Sequence, residues 1–505
     1  MSSGSSEPPV STAPAGVRDH GAPGIPDRRR RLALLAAPVF ASILLVLVCA
    51  SRMDAPFSPS FDGFNTAVWA TGSQAVRTDG WWATRLGATA GPTGEDVPYA
   101  HHPPLVRVEI TAAELALGEH RWVDRLPALL SSLAAIWCCW GWLGACGFSP
   151  GPRALGVLAV GGSGAMLTYG AMANMEVVWL PTAFALLWAW QHAERAGGGW
   201  WSCFLLGVLG CTAAHQGILL VGALAVLGLV QARSARRRLR PHESAALAAS
   251  VAGALTFVVW AWWAAGGLGD LMDIARTRSG AEHGWGEFVR AQAEHSLVLF
   301  GIVALVCLLA GPFLTRERPA LTGQLVVIWA VGLSYAVVFR QGATIHPYWN
   351  AALVRAVALG AGLLGTRLAR ADRRALPVAV VLAVAMAVPA GIVAERNAHL
   401  GDGAGLVARV VGERGDGTLH STEIVSEWVT YESDGPVEPV YTCAALVELA
   451  RRDAAAPVLT SRTWIESSEA PHGWTAVTAR EDSVVRGDFV LTSAGVLHDA
   501  ACPPD

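Results

Sequence analysis

The chain has 505 residues, 53% of them hydrophobic and only 15% charged, with a mean hydropathy of +0.40. A soluble domain carries roughly 25% charged residues. The apolar excess here falls in separated blocks of membrane-crossing length, which excludes a soluble enzyme, a DNA-binding protein and a disulfide scaffold. All 37 basic residues are arginine, so Schiff-base lysines and the Walker lysine are absent.

Residues 1–31 read as a disordered cytoplasmic tail of Ser, Pro, Gly and Ala that closes on Arg28, Arg29, Arg30 and Arg31. The apolar run 32–50 then opens either a signal peptide or a first, uncleaved helix, and the many later runs favour the helix. A bilayer core needs about 20 apolar residues per helix. On that rule further spans fall near 125–146, 154–172, 176–192, 199–213, 216–231, 244–265, 295–314, 321–340, 349–366 and 375–394, about eleven in all. The run 103–117 is shorter and carries Arg107, Glu109 and Glu114, so it is expected to lie on the membrane surface.

Arginine sets the orientation, because short cytoplasmic connections are enriched in it. Alternate connections hold Arg153, then Arg195, then the cluster of Arg233, Arg236, Arg237, Arg238 and Arg240, then Arg316 and Arg318, then Arg367, Arg370, Arg373 and Arg374. The amino terminus is therefore predicted inside and the carboxy terminus outside. Residues 395–505 turn polar, with 18 Asp and Glu against 8 Arg. The strand-like runs 457–460 and 488–492 and the periodic stretch 444–452 predict a small extracytoplasmic α/β domain there. Seven of the nine cysteines lie in or beside apolar runs as small hydrophobes; Cys443 and Cys502 lie in the exported region, where a bridge is permitted.

On this topology the polar residues collect on one face. The first outer loop, 51–124, carries Asp62 and Asn65 early and Tyr99, His101 and His102 late. Asn174 and Glu176 fill the second, His215 and Gln216 the third, and Arg340, His346, Tyr348 and Asn350 the fifth. Polar groups near a bilayer are expensive and default to functional candidates. Structural alternatives exist for each: Asp62 as a helix cap, Glu176 as a partner of helix amino-terminal amides, His346 as a loop residue beside interfacial aromatics. Taken together they explain poorly why acids, histidines and an arginine share a face.

An early Asp62, a late His101-His102-Pro103-Pro104, a surface helix, Arg125-Leu126-Pro127 at the second span, Asn174–Glu176, and His346-Pro347-Tyr348 follow one another in that order. This order resembles the GT-C integral-membrane glycosyltransferases, in the bacterial branch related to protein O-mannosyltransferases and the lipid A aminoarabinose transferase. The resemblance covers about residues 33–394, so 32–394 is expected to be the transmembrane catalytic domain. It implies transfer of a sugar from a polyprenyl-phosphate donor to an acceptor glycan, lipid or protein on the outer face, with Asp62 facing the acceptor and His102 near the donor phosphate. Gly63 stands where relatives often have a second acid, and Glu176 where many have Asp. His215-Gln216 also departs from the family's third-loop elements.

Nucleotide sugars are absent outside the cytoplasmic membrane, so the donor must be lipid-linked. Displacement at the anomeric carbon passes through an oxocarbenium-like state, and the phosphate leaving group needs its charge held. His101, His102, Arg340 and His346 are the candidates for that, with Asp62 as base and Glu176 orienting substrate, and inversion as the outcome. Asn65, Tyr99, Asn174, His215, Gln216, Tyr348 and Asn350 are expected to line the cavity. Arg355, seven residues beyond Tyr348 on the same helical face, is expected to point into it or to serve as a helix–helix or snorkelling cation. No cofactor is expected; a divalent ion held by the two acids is the alternative. A transporter of lipid-linked glycans is the competing function, though no internal repeat of the kind such proteins show is evident. Nucleic acid is not an expected partner.

Overall fold

In the computed structural model, residues 28–89, 99–280, 283–372, 374–385, 388, 391–392, 402–414, 418–422, 427–433, 437–467, 473–481 and 483–502 are described. The predicted tail up to residue 27 and the boundary at 395 lie outside them. Arg28–Arg31, assigned to that tail, belong instead to the first helix, α1 (Arg28–Ala50).

The connection 51–124, predicted as the first outer loop, is largely helical where it is described. Helix α2 (Phe61–Asp79) starts at Ser60, whose Oγ accepts from the Gly63 amide at 3.2 Å, and stops at Gly80, where φ is +89°. Helix α3 (Leu105–Leu117) matches the predicted surface helix, but Arg107 and Glu114 are buried rather than turned to water. The Arg107 guanidinium lies over Trp69 of α2 and donates to the Tyr99 carbonyl at 3.0 Å, and Ser73 of α2 donates to Glu114. The charged face of α3 packs inward on α2, because neighbouring helices supply its partners.

The bundle continues with α4 (Arg121–Ala145), α5 (Pro150–Gly161), α6 (Gly164–Tyr169), α7 (Met175–Val178), α8 (Leu180–Ala196), α9 (Trp200–Ala213), α10 (His215–Ser234), α11 (Pro241–Ala265), α12 (Gly269–Ser279), α13 (Trp285–Leu314), α14 (Thr322–Val338), α15 (Arg340–Ile345), α16 (Val354–Ala371) and α17 (Ala375–Ala385). A 3-10 segment, Pro347–Leu353, leads into α16. Among the described residues, six helical stretches are long and apolar enough to cross a membrane, Arg121–Ala145, His215–Ser234, Pro241–Ala265, Trp285–Leu314, Pro319–Val338 and Pro347–Ala371. Leu35–Ala50, Trp200–Ala213 and Ala375–Ala385 are shorter apolar helices.

Two runs read as single spans are broken. The stretch 154–172 divides between α5 and α6 at Ser163, whose Oγ caps the second helix, and 176–192 divides between α7 and α8 just before Pro181. Both runs are nearly wholly buried, so their apolar character reflects packing inside the bundle.

Glycine allows the closest helix crossings. A Cβ on Gly360 of α16 would meet the Cys307 carbonyl of α13 at 1.9 Å, and one on Gly217 of α10 would meet the Gly210 carbonyl of α9 at 1.9 Å. Gly301, at φ +62°, kinks the 30-residue α13.

The polar carboxy-terminal part carries a five-stranded mixed sheet in the order β2-β1-β3-β5-β4. Its strands are β1 (Leu419–Ser421), β2 (Val437–Pro439), β3 (Pro457–Ser461), β4 (Val484–Arg486) and β5 (Phe489–Ser493). β1 pairs in parallel with β2 and β3, and β5 runs antiparallel to β3 and β4. The predicted strands and helix of this region lie within a residue of β3, β5 and the helix Cys443–Arg452. Cys443 and Cys502 form a disulfide. One of the two cores here is completed by Phe57, Ala67 and Ala70 from the first outer loop. Around that core Arg121 pairs bidentately with Glu432 at 2.9 and 2.5 Å, and the Tyr431 hydroxyl donates to Asp124 at 2.6 Å.

Candidate active site

The residues predicted to share one face gather at one end of the bundle. Asn65, three positions after Asp62 on α2, accepts at Oδ1 from the Asn174 amide at 3.1 Å and from the Tyr348 hydroxyl at 3.3 Å. Thr66 Oγ1 accepts from the Ala173 amide at 3.2 Å. The segments that carry Asp62 and Glu176 are thus tied to each other through neighbouring residues.

Asp62 is 8% exposed, with Arg125 Nε 3.6 Å from Oδ2, while Oδ1 has no hydrogen-bond partner among the described residues. The capping role belongs to Ser60. Arg125 is itself fixed, donating to the carbonyls of Met53 (3.1 Å) and Ala55 (2.7 Å) with Phe57 beneath it. At Gly63 a Cβ would meet the Ser58 amide at 2.3 Å, so the backbone has no room for a second acid there. Glu176 is 1% exposed, and among the described residues neither oxygen has a hydrogen-bond partner beyond the interaction with its own backbone amide. A buried carboxyl without partners is costly, and such a cost marks a group kept for a ligand or a reaction.

A relay runs from these residues to an arginine that the sequence reading missed. Arg278, near the end of α12, lies 2.8 Å from His346 Nε2, and His346 Nδ1 lies 3.2 Å from the Tyr348 hydroxyl. Burial pushes the His346 imidazole down to about 3, and the Arg278 charge adds to the shift. The ring is therefore neutral. Since guanidinium only donates, Nε2 accepts from Arg278 and the proton sits on Nδ1, facing Tyr348. The direction of every bond from Arg278 through His346 and Tyr348 to Asn65 follows.

Arg278 also lines a cavity of about 230 Å³ with His101, His102 and His215, walled by Ile218, Leu219, Leu271, Ile274, Tyr335 and Trp349. His102 stacks among Trp69, Tyr99 and His215, with centroids 5.4–5.8 Å away. His101 packs on Tyr99 at 4.3 Å, and its Nδ1 lies 3.5 Å from Asp270. Burial lowers both His101 and His102, the second strongly, with Asp270 opposing the shift at His101. Arg278 is the fixed positive charge of this cavity; the histidines enter as neutral hydrogen-bonding rings.

Other predicted residues brace the site or stand aside. Gln216 donates to the Trp349 carbonyl (3.0 Å), and Asn350 donates to Gln292 (2.7 Å), which in turn holds the Ala343 carbonyl. Arg340, expected at the donor phosphate, sits over Trp285 at 4.5 Å outside the cavity lining. Arg355 is fully buried over Trp179 at 4.2 Å, without a hydrogen-bond partner among the described residues, and is also outside that lining. Asp62 and Glu176 likewise do not line this cavity. The clue to Arg278 was weak: it is an arginine in a connection predicted to lie outside, against the charge rule. Arg276 and Arg290 share that connection, and Glu282 follows Arg278 by four residues in the sequence, so the local charge pattern does not single Arg278 out.

No protein-family model matches the chain, and no curated protein matches it. Solved structures do. ArnT from Cupriavidus metallidurans, bound to undecaprenyl phosphate, aligns over 94% of this chain and 99% of its own, with a TM-score of 0.59 and 14% identity. The fold is that of the GT-C membrane glycosyltransferases. The archaeal oligosaccharyltransferase AglB from Archaeoglobus fulgidus, in complex with an inhibitory peptide and a dolichol-phosphate, aligns over 89% of this chain and 71% of its own (TM-score 0.51, 11% identity). The arabinofuranosyltransferase AftD from Mycobacteria aligns over 92% of this chain and 40% of its own (TM-score 0.51, 14% identity). The GT-C alignment to ArnT runs well past residue 394, so the likeness includes the carboxy-terminal sheet region as well as the bundle.

Proposed function

We propose that the chain is a multi-pass glycosyltransferase of the cell membrane. It takes a sugar from a polyprenyl-phosphate donor and passes it, with inversion, to an acceptor hydroxyl on the extracytoplasmic face. The observation that carries the reading is the cavity with apolar walls and a single fixed cation, Arg278, joined by His346 and Tyr348 to the segment bearing Asp62. Such a cavity suits an isoprenoid phosphate: chain carbons against Ile218, Leu219, Leu271 and Ile274, phosphate oxygens at Arg278 and the neutral rings of His101 and His102. The bound polyprenyl phosphate in the ArnT structure supports this assignment.

In the reaction Asp62 takes the acceptor proton as the hydroxyl attacks the anomeric carbon, and the polyprenyl phosphate leaves with the bonding electrons. Oδ1 is assigned this task, since the Arg125 cation lies on the Oδ2 side, 3.6 Å away. Arg278 offers bidentate donation to the leaving phosphate, whose charge grows in the transition state. An arriving phosphate also favours protonation of the histidines beside it, adding donors when they are needed. Glu176 orients the acceptor or sugar hydroxyls. The reading is metal-free, with Arg278 supplying the positive charge at the phosphate; full activity in EDTA is the expected result. Residues 32–394 would form the catalytic unit and 395–505 an extracytoplasmic domain, with the amino terminus inside.

The test uses purified full-length protein in nanodiscs with polyprenyl-phosphate sugar and an envelope extract as acceptor. Asp62→Asn is expected to lower transfer by about 10²-fold or more with donor binding retained. Unchanged transfer removes Asp62 from catalysis. Donor moved between leaflets without a new glycosidic bond points to transport instead.

A further inference from the structure

A second polar cavity, of about 550 Å³, lies at the other end of the same helices. His215 begins α10 in the donor cavity, and Gln231, sixteen residues on, lines the second. At 1.5 Å per residue that is roughly 24 Å, close to the depth of a bilayer core. α14 shows the same polarity reversed, with Gly323 at the second cavity and Tyr335 at the first. If the donor cavity faces out, this one faces the cytoplasm.

Three arginines from three separate elements line it, against one acid. Arg195 ends α8, Arg240 precedes α11, and Arg318 lies in the connection before α14, with Glu194 as the acid and Gln191 and Gln231 between. Arg318 is held by the carbonyls of Cys146 and Gly147, at 3.4 Å each, over the Phe148 ring. Arg195 rests on Gly147, where φ is +78° and a Cβ would meet its guanidinium at 3.0 Å. The acid closest in sequence to Arg240, Glu243, is already engaged by Arg237 (2.6 Å) and by the Arg240 amide (2.7 Å). No ion pair is made by Arg195, Arg240 or Arg318 among the described residues. Among the described residues the cluster is thus a converged positive site, three arginines to one acid, Glu194. Just before Gln231, Val226, Leu229 and Val230 expose apolar side chains on α10 at 58%, 43% and 56%. A lipid tail has a surface to lie on beside the polar cavity.

We propose that this cavity binds the phosphate of an anionic phospholipid headgroup at the membrane surface opposite the donor cavity, with Arg195, Arg240 and Arg318 as its ligands and the acyl chains against Val226, Leu229 and Val230. Basic pockets between membrane helices select phosphate headgroups, each arginine adding about 1 kcal/mol at the surface. Glu194 opposes that binding, so it tunes affinity downward.

The experiment measures thermal stability and lipid retention of the detergent-solubilised full chain, using dioctanoyl phosphatidylglycerol, dioctanoyl phosphatidylcholine and inorganic phosphate as probes at constant ionic strength. Phosphatidylglycerol is expected to stabilise and be retained, and phosphatidylcholine is not. The double variant Arg195→Gln/Arg240→Gln is expected to bind phosphatidylglycerol about thirty-fold more weakly. Arg233→Gln/Arg238→Gln removes the same charge from the same end outside the cavity and is expected to leave binding intact. Glu194→Gln is expected to tighten it, a gain that misfolding cannot mimic. Equal loss in the two double variants, or equal response to both lipids, overturns the site. Stabilisation by inorganic phosphate equal to that by phosphatidylglycerol overturns the lipid and leaves a soluble phosphate as ligand.

Discussion

At the residue scale Arg278 is the one arginine lining, among the described residues, the cavity proposed for the donor. It bonds His346, lines the cavity beside His101 and His102, and lies near Trp349 at 5.8 Å. In Arg278→Gln the His346 contact can persist but the charge is gone, so donor affinity is expected to fall by about ten- to a hundred-fold, the scale of one charge-assisted bond to phosphate. Arg278→Lys keeps the charge and loses the fork, and is expected to recover part of the binding. Isothermal titration of polyprenyl phosphate into nanodiscs measures both. Equal affinity in wild type and Arg278→Gln would move the phosphate elsewhere. The sequence exposed His101, His102 and His346 through a dense local motif. Arg278 carried only the weaker sign of a misplaced charge, since its partner is 68 residues away.

At the element scale, α3 and α4 hold buried acids beneath the carboxy-terminal sheet. Ser73 donates to Glu114, Arg77 lies 3.0 Å from it, and Asp124 adjoins it while accepting from Tyr431. Burial, reinforced by Asp124, raises the Glu114 carboxyl above the ordinary carboxylate range. The folded state therefore holds a proton that the unfolded state releases, and stability from this group falls as pH rises above the ordinary carboxylate value. Glu114→Gln, neutral at every pH, is expected to flatten that part of the stability profile. Thermal melts across pH 5 to 9 test it; an unchanged slope would remove Glu114 from the linkage. The helix α3 was legible from its pattern, but its buried charges were not. Amphipathicity says that a face is polar, and only the arrival of α2 makes that face an interior one.

At the scale of the whole molecule, the disulfide between Cys443 and Cys502 closes a loop of 59 residues. A loop of that size is worth about 4 kcal/mol in the chain-entropy account. Cys443→Ser is expected to lower the stability of the carboxy-terminal region by a few kcal/mol, read as earlier loss of hydrogen-exchange protection there. Since Phe57, Ala67 and Ala70 complete one of its cores, exchange in α2 is expected to rise with it. Protection of α2 that ignores the disulfide would mean the two regions are energetically separate.

The sequence by itself determined the class of molecule: spans of apolar residues, a polar tail with strands and a helix placed to within a residue, and one end rich in Asp62, His102, Glu176 and Tyr348. Those features are local, because hydropathy, capping and alternation are read within a few turns of chain. Tertiary structure decided where apolar runs break into buried half-helices, that α2 exists beneath the tail, that Arg340 and Arg355 rest on tryptophan rings, and that Arg278 supplies the charge. Each of these depends on a partner far along the chain, and burial, which sets the protonation of His346 and Glu114, is a property of the packed whole that no window of sequence contains.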